Sequence, residues 1–256
     1  KKIFLDSTGS NARFPSHSGG NHGVQCINVF EEKIETVPVP RPEDNGAVYY
    51  YSLKLGADGN LDVDWKPTYV GNKESALRGY YKRVKEDNRR QVMESIVTRE
   101  HPAAKLAKFD FHNLYELGKP FYFTIDYTID DYPKKAGPLR IFELPSLEQS
   151  FSETGLQERK FPLEYRTSYG ERRIYELEVA PNLRAKFLPK DTTLVNAAGT
   201  YTLKTQKVGD NKYKIDSNFR RFGRVVKPRH WPAYRQFLSK VVAASKQKLF
   251  FEVVSK

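Results

Sequence analysis

The sequence predicts a mainly β protein: antiparallel β-sandwich-like domains with one long surface helix and one short C-terminal helix. Three observations carry that reading. Alternating apolar runs return on themselves around turn residues, at Ala57-Asp58-Gly59-Asn60 and again at Gly209-Asp210-Asn211. Residues 121–129 alternate strictly, with Phe121, Phe123, Ile125, Tyr127 and Ile129 on one face and Tyr122, Thr124, Asp126 and Thr128 on the other. Helical spacing is sustained only at 72–96 and again from Trp231 to Val242.

The elements follow in order. KIFLDST near the start reads as a short strand, SHSGGNHG as a loop and VQCINVF as a second strand. EEKIETVPVPRPEDN holds three prolines, which cannot donate to a ladder, so it reads as an extended linker. From Ala47 a hairpin is expected, with Tyr49, Tyr51, Leu53 and Leu55 on its first strand and LDVDWKPTYVG returning. Asn72 suits an N-cap and Glu74 the first turn of a helix. Leu77, Tyr81, Val84, Val92 and Ile96 continue that helix up to His101-Pro102. Its bases (Arg78, Lys82, Arg83, Lys85, Arg89, Arg90) are expected on a solvated face.

PLRIFELP reads as a strand, and the polar stretch at 150–155 as a boundary. KFPLEYRTSY and ERRIYELEVA are expected as two strands meeting around Tyr169-Gly170. GTYTLKTQKVGDNKYKIDSNF forms a hairpin that RFGRVVKP extends. A short helix follows, with Trp231, Tyr234, Phe237, Leu238, Val241 and Val242 on its core face, and KLFFEVV closes the fold as a strand. Three units are expected: 1–35, a β-rich domain with the long helix at 36–150, and a C-terminal β-sandwich at 151–256.

The chain has 256 residues, of which 39% are hydrophobic and 13% aromatic, enough for large cores. No apolar run approaches the ~20 residues of a membrane helix, so no transmembrane segment is expected. The first residues lead straight into an apolar strand without a leader, from which the chain is expected to begin inside a longer gene product.

The chemistry expected from these residues is sparse. Cys26, the single cysteine, permits no internal disulfide and no thiolate zinc cluster, and its place in an apolar strand favours packing. His17 and His22 flank the Gly-rich loop without a carboxylate or thiol beside them, which is too little for a metal site. Asp126, Asp130 and Asp131 gather on the wet face of one strand, without the Gly-bearing turn of a calcium loop. No phosphate loop, dinucleotide fingerprint, HExxH or GxSxG occurs, so no cofactor is expected and the chain is not expected to be an enzyme on its own.

The net charge is +12, and from Ser217 to Phe251 there is no acid at all. Arg220, Arg221, Arg224, Lys227, Arg229 and Arg235 make this stretch a candidate binder of polyanions such as acidic glycans or lipopolysaccharide. A solvated face, or one docked on an acidic neighbour, is the competing reading. Nucleic acid is disfavoured.

Leu5-Asp6-Ser7-Thr8, followed by Phe14-Pro15 and Gly20, resembles the end of the transglutaminase-like core of large exported bacterial proteins, where the motif is Leu-Asp-Pro-Thr. The order continues through Asp58-Gly59-Asn60-Leu61, a helix entry at Gly71 to Arg78, the strand Glu158 to Glu164 with Arg159 and Pro162, Leu188-Pro189, and Tyr234-Arg235 before Phe237. Serine at position 7 and the shifted spacing at the helix entry depart from the pattern.

The resemblance implies that 1–35 is the tail of a papain-like Cys-His-Asp core. Asp6 then matches the triad aspartate that orients a histidine, while the nucleophile and histidine lie upstream. It further implies a non-catalytic β-rich C-terminal portion that supports the core or binds a partner or protein substrate, in a protein exported to the periplasm or cell envelope.

Overall fold

A computed structural model describes residues 3–254. Its strands and helices are β1 (Gln25–Asn28), β2 (Lys33–Thr36), β3 (Gly46–Leu55), β4 (Leu61–Val70), α1 (Asn72–Arg83), α2 (Glu86–Glu100), β5 (Ala104–His112), β6 (Tyr122–Ile129), β7 (Lys134–Ala136) and β8 (Leu139–Phe142). After these come β9 (Leu163–Glu164), β10 (Tyr169–Val179), β11 (Leu183–Phe187), β12 (Thr192–Asn196), β13 (Gly199–Gly209), β14 (Lys212–Arg221), β15 (Val225–Val226), α3 (Trp231–Ser245) and β16 (Leu249–Val253). The protein is mainly β, with predominantly antiparallel pairing, as the alternation predicts.

One eight-stranded sheet runs β12-β13-β14-β10-β3-β4-β6-β5, and a four-stranded sheet runs β11-β16-β8-β7. Strands from both sides of residue 150 share the large sheet. The join is β3 with β10, a parallel pair in register from Gly46 with Gly170 to Leu55 with Val179. Glycine is required at that join. A Cβ on Gly46 would sit 1.7 Å from the Gly170 carbonyl oxygen, and one on Gly170 would sit 2.4 Å from that of Pro42.

The inner face of the large sheet carries Tyr51, Leu53, Trp65, Phe123, Ile125, Tyr127, Tyr175, Tyr201 and Ile215, all buried. Tyr51 stacks between Trp65 (5.6 Å) and Tyr175 (4.9 Å), a ring column crossing three strands. Phe142, Leu249 and Phe251 of the small sheet pack on the same core, with Phe251 6.0 Å from Tyr213. From α3 the core receives Trp231, Tyr234, Phe237, Leu238 and Val241, whereas Val242 is half-buried.

Several local expectations are corrected. The helix expected over 72–96 is two helices. Val84 and Lys85 are extended between them, and Glu86 and Asp87 give α2 its own acidic first turn. Gly71, with φ 64°, is the N-cap of α1, and Asn72 is its first residue, held by Asn45 Oδ1 at 2.9 Å. Of the expected solvated bases, Arg78 is wholly buried.

KIFLDST is not a strand in its described part, residues 3–8, because the carboxylate of Asp6 turns the chain back through Thr8. The expected linker holds β2, which pairs with β1 as a hairpin. Tyr169-Gly170 does not separate two strands: both lie inside β10.

Candidate functional site

The N-terminal segment, residues 3–36, differs physically from the rest of the chain. Among its described residues only Gly19 and His22 are buried, and the first hydrophobic residue to join the core is Val37. Its own apolar side chains face outward. Ile3, Leu5, Phe14, Val24, Ile27, Val29, Phe30 and Ile34 are eight of the nineteen large hydrophobics that stand exposed among the described residues, and Phe30 is 96% exposed at the tip of the β1–β2 hairpin.

Polar clamps seat this strap in place of hydrophobic burial. Arg13 reaches Glu74 of α1, with Nε 3.1 Å from Oε1 and Nη2 3.0 Å from Oε2. Glu74 is itself buried. It also accepts from Arg78 Nη2 at 2.7 Å and from the Phe121 backbone N–H at 3.0 Å. Arg78 then donates to the carbonyls of Asn113, Leu114, Glu116 and Lys119, so one buried guanidinium closes the loop between β5 and β6.

The second clamp is His22, 3% exposed, whose Nδ1 lies 2.6 Å from Thr167 Oγ1. The Arg224 guanidinium donates to the carbonyl oxygens of His22 and Tyr165. The His17 ring meets the His22 ring edge-on, 4.7 Å between centres, and neither His17 nitrogen has a hydrogen-bond partner. Burial, then the His17 ring and then Arg224 pull the His22 imidazole from 6.5 down to about 4, so it is neutral near pH 7. A groove of about 410 Å³ opens beside this pair, lined by Phe14, Pro15, Pro38, Pro40 and Val70 together with Glu43 and Asp44.

Asp6 stands at the near end of the strap. Its Oδ1 accepts from the Thr8 hydroxyl (2.5 Å) and backbone N–H (2.9 Å), and its Oδ2 from Asn21 Nδ2 (2.9 Å). The hydroxyl first and the N–H second hold its carboxyl below the ordinary aspartate range. Neither described histidine of the strap is hydrogen-bonded to it, so in this chain Asp6 terminates a turn.

The basic stretch is largely engaged within the fold. Arg220 pairs with Glu43 at 2.9 Å. Arg221 lies 3.6 Å over the Tyr165 ring and donates to the Thr167 carbonyl. Arg224 clamps the strap, and Arg235 donates to the Thr154 carbonyl at 2.8 Å. Lys227 and Arg229 are exposed. Cys26 is half-buried, and Ile27 beside it points out. Among the described residues no group of three or more His, Cys, Asp or Glu side chains is placed to hold a metal ion.

Sequence reasoning missed the clamps. Arg13 and Glu74 are 61 positions apart and His22 and Thr167 are 145 apart, with no local periodicity linking them. The one available signal was an arginine and a histidine inside an otherwise Ser- and Gly-rich loop.

Residues 140–251 match the model of a family described as a domain of unknown function with solved structure, DUF3858. No curated protein matches the sequence. A crystal structure of a putative protease from Parabacteroides distasonis is similar over 53% of this chain at 13% identity and a TM-score of 0.39, and the chain spans 34% of that protein. Baculovirus P35 is similar over 83% of this chain and 97% of its own, at 6% identity and a TM-score of 0.20.

Proposed function

We propose that this chain is the non-catalytic, β-rich C-terminal portion of a transglutaminase-like protein, and that residues 3–36 form the layer through which it docks on the preceding core. The observation that carries the proposal is the exposed apolar strap. Eight large hydrophobics face solvent in a segment that contributes no hydrophobic residue to the core. Ile27 and Ile34 are paired directly across the β1–β2 hairpin, and exposed apolar surface of this kind marks a protein contact.

The match of residues 140–251 to a domain family without assigned function is compatible with an accessory role. On this reading Asp6 acts as the third member of a Cys-His-Asp triad only when the upstream core brings a histidine to it, and the chain alone is inactive. The parent protein is exported to the periplasm or cell envelope.

Hydrogen exchange on a longer natural chain tests the docking. The hairpin 24–36 should gain protection relative to the present chain, and an upstream histidine should come within hydrogen-bond reach of Asp6. A hairpin that exchanges equally fast in both chains overturns the reading.

The alternative, a polyanion-binding face at 217–251, is supported by the exposed Lys227 and Arg229 in a stretch without acids. Retention on heparin that falls steeply between low and high salt is its expected mark, and salt-independent retention removes it.

A further inference from the structure

We infer that residues 3–36 form an acid-released strap: a neutral His22 keeps it seated against the body, and a protonated His22 lets it go while the sheets stay folded. The inference concerns the strap within this chain and holds whether or not a core docks upon it.

The geometry leaves a charged imidazole nowhere to go. His22 is 3% exposed and sits against the body at Thr167, in the segment leading into β10. The charged and titratable groups that act on it most directly are the Arg224 guanidinium, from the turn between β14 and β15, and the His17 ring on the strap itself, both bases. Glu43 and Asp44 line the same groove, but they are paired with Arg220 and Arg41. Asp6, whose interaction with His17 is favourable, spends both oxygens on Thr8 and Asn21. Glu74 is committed to Arg13 and Arg78. A proton arriving on His22 is therefore buried beside a permanent cation, with the nearby carboxylates already paired to other cations, a costly arrangement that ends when the ring swings into water.

The rest of the strap does little to resist that motion. It buries no large hydrophobic side chain, so its attachment rests on hydrogen bonds and ion pairs with modest net free energies. The body differs in kind, because its aromatic column and two sheets do not depend on His22. Local opening with the core intact is the expected consequence.

The pH window follows from the depressed imidazole. The released strap, with a solvated ring, binds the proton more readily than the seated one. Seating is at full strength above about 6.5 and weakens steadily as the pH falls toward about 4.

Hydrogen exchange from pH 7.5 to 4.5, corrected for intrinsic rates, tests this on the intact chain. Peptides covering 16–24 should lose about tenfold or more in protection between pH 6.5 and 4.5 while those of β10 and β14 keep theirs. His22→Asn, which keeps a polar partner for Thr167 but cannot titrate, should flatten the strap's pH dependence. Unchanged strap protection in the wild type, or the same loss in His22→Asn, overturns the inference. Should the Asn variant leave the strap open at every pH, the histidine NMR titration decides: a His22 resonance titrating well below 6 supports the switch, and one titrating near 6.5 overturns it.

Discussion

Single residues in this fold act mostly by closing geometry that no other side chain can close. Arg78 has no water to fall back on: it is wholly buried, with Glu74 as its counter-ion and four loop carbonyls as acceptors. Arg78→Met removes the cation and leaves Glu74 and those carbonyls short of donors, so chemical denaturation should show a loss of about 3–5 kcal/mol. Gly170 is constrained from the other side, by space. Gly170→Ala drives a methyl group to 2.4 Å from the carbonyl oxygen of Pro42, in the turn that leads into β3, and a loss of about 1–3 kcal/mol is expected in the same measurement. A stability equal to wild type in either variant would mean that the backbone around Gly170 or the loop around Arg78 yields without cost. The sequence displays both residues, yet Arg78 reads there as one more base on a charged helix, because the carbonyls that take up its donors lie 35 to 41 positions away.

At the scale of elements, the contrast is between those held by burial and the strap held by polar clamps. Trp231 opens α3 fully buried, donating its indole N–H to the carbonyls of Leu156 and Gln157, both at 3.2 Å. Trp231→Ala should therefore cost about 3–5 kcal/mol. The β1–β2 hairpin behaves oppositely. Phe30→Ser and Ile27→Ser remove exposed apolar surface, so thermal melting of this chain should shift by little while its self-association at high concentration falls. A large drop in melting temperature would show that the hairpin tip is packed after all.

The helix break after Arg83 belongs to this scale as well. Apolar spacing runs on through 77–96 as though one helix were present, and only the extended backbone at Val84 and Lys85 divides it. Periodicity reports which face is apolar. It is blind to a corner that restarts the same face on a second helix.

For the whole molecule, the consequential feature is that β3 and β10 are neighbours. Their pairing joins strands from 46–129 to strands from 169–221 in one sheet, and Tyr51 and Tyr175 stack across the join. Separating the chain at 150 would expose a long edge on each piece and cut the ring column. We therefore expect calorimetry of the intact chain to give one transition for the body, and residues 151–256 alone to lack a cooperative one. Two well-separated transitions would instead favour independent units.

The sequence by itself determined the class of the fold, the alternating faces of β4 and β6, the Asp-Asn hairpin between β13 and β14, and the aromatic core face of α3. Each of these is written in residues close together in the chain, where periods of two and 3.6 and turn chemistry operate. It also presented the residues of the candidate site, among them Asp6, His17, His22 and Arg224, without showing that the last three converge. Tertiary structure alone decided that β3 lies beside β10, that Arg78 is interior, that Arg221, Arg224 and Arg235 serve the fold, and that residues 3–36 lie outside the hydrophobic core. These depend on contacts between distant positions, and a charged side chain leaves no local trace of whether it will meet water, an aromatic ring or a buried carbonyl.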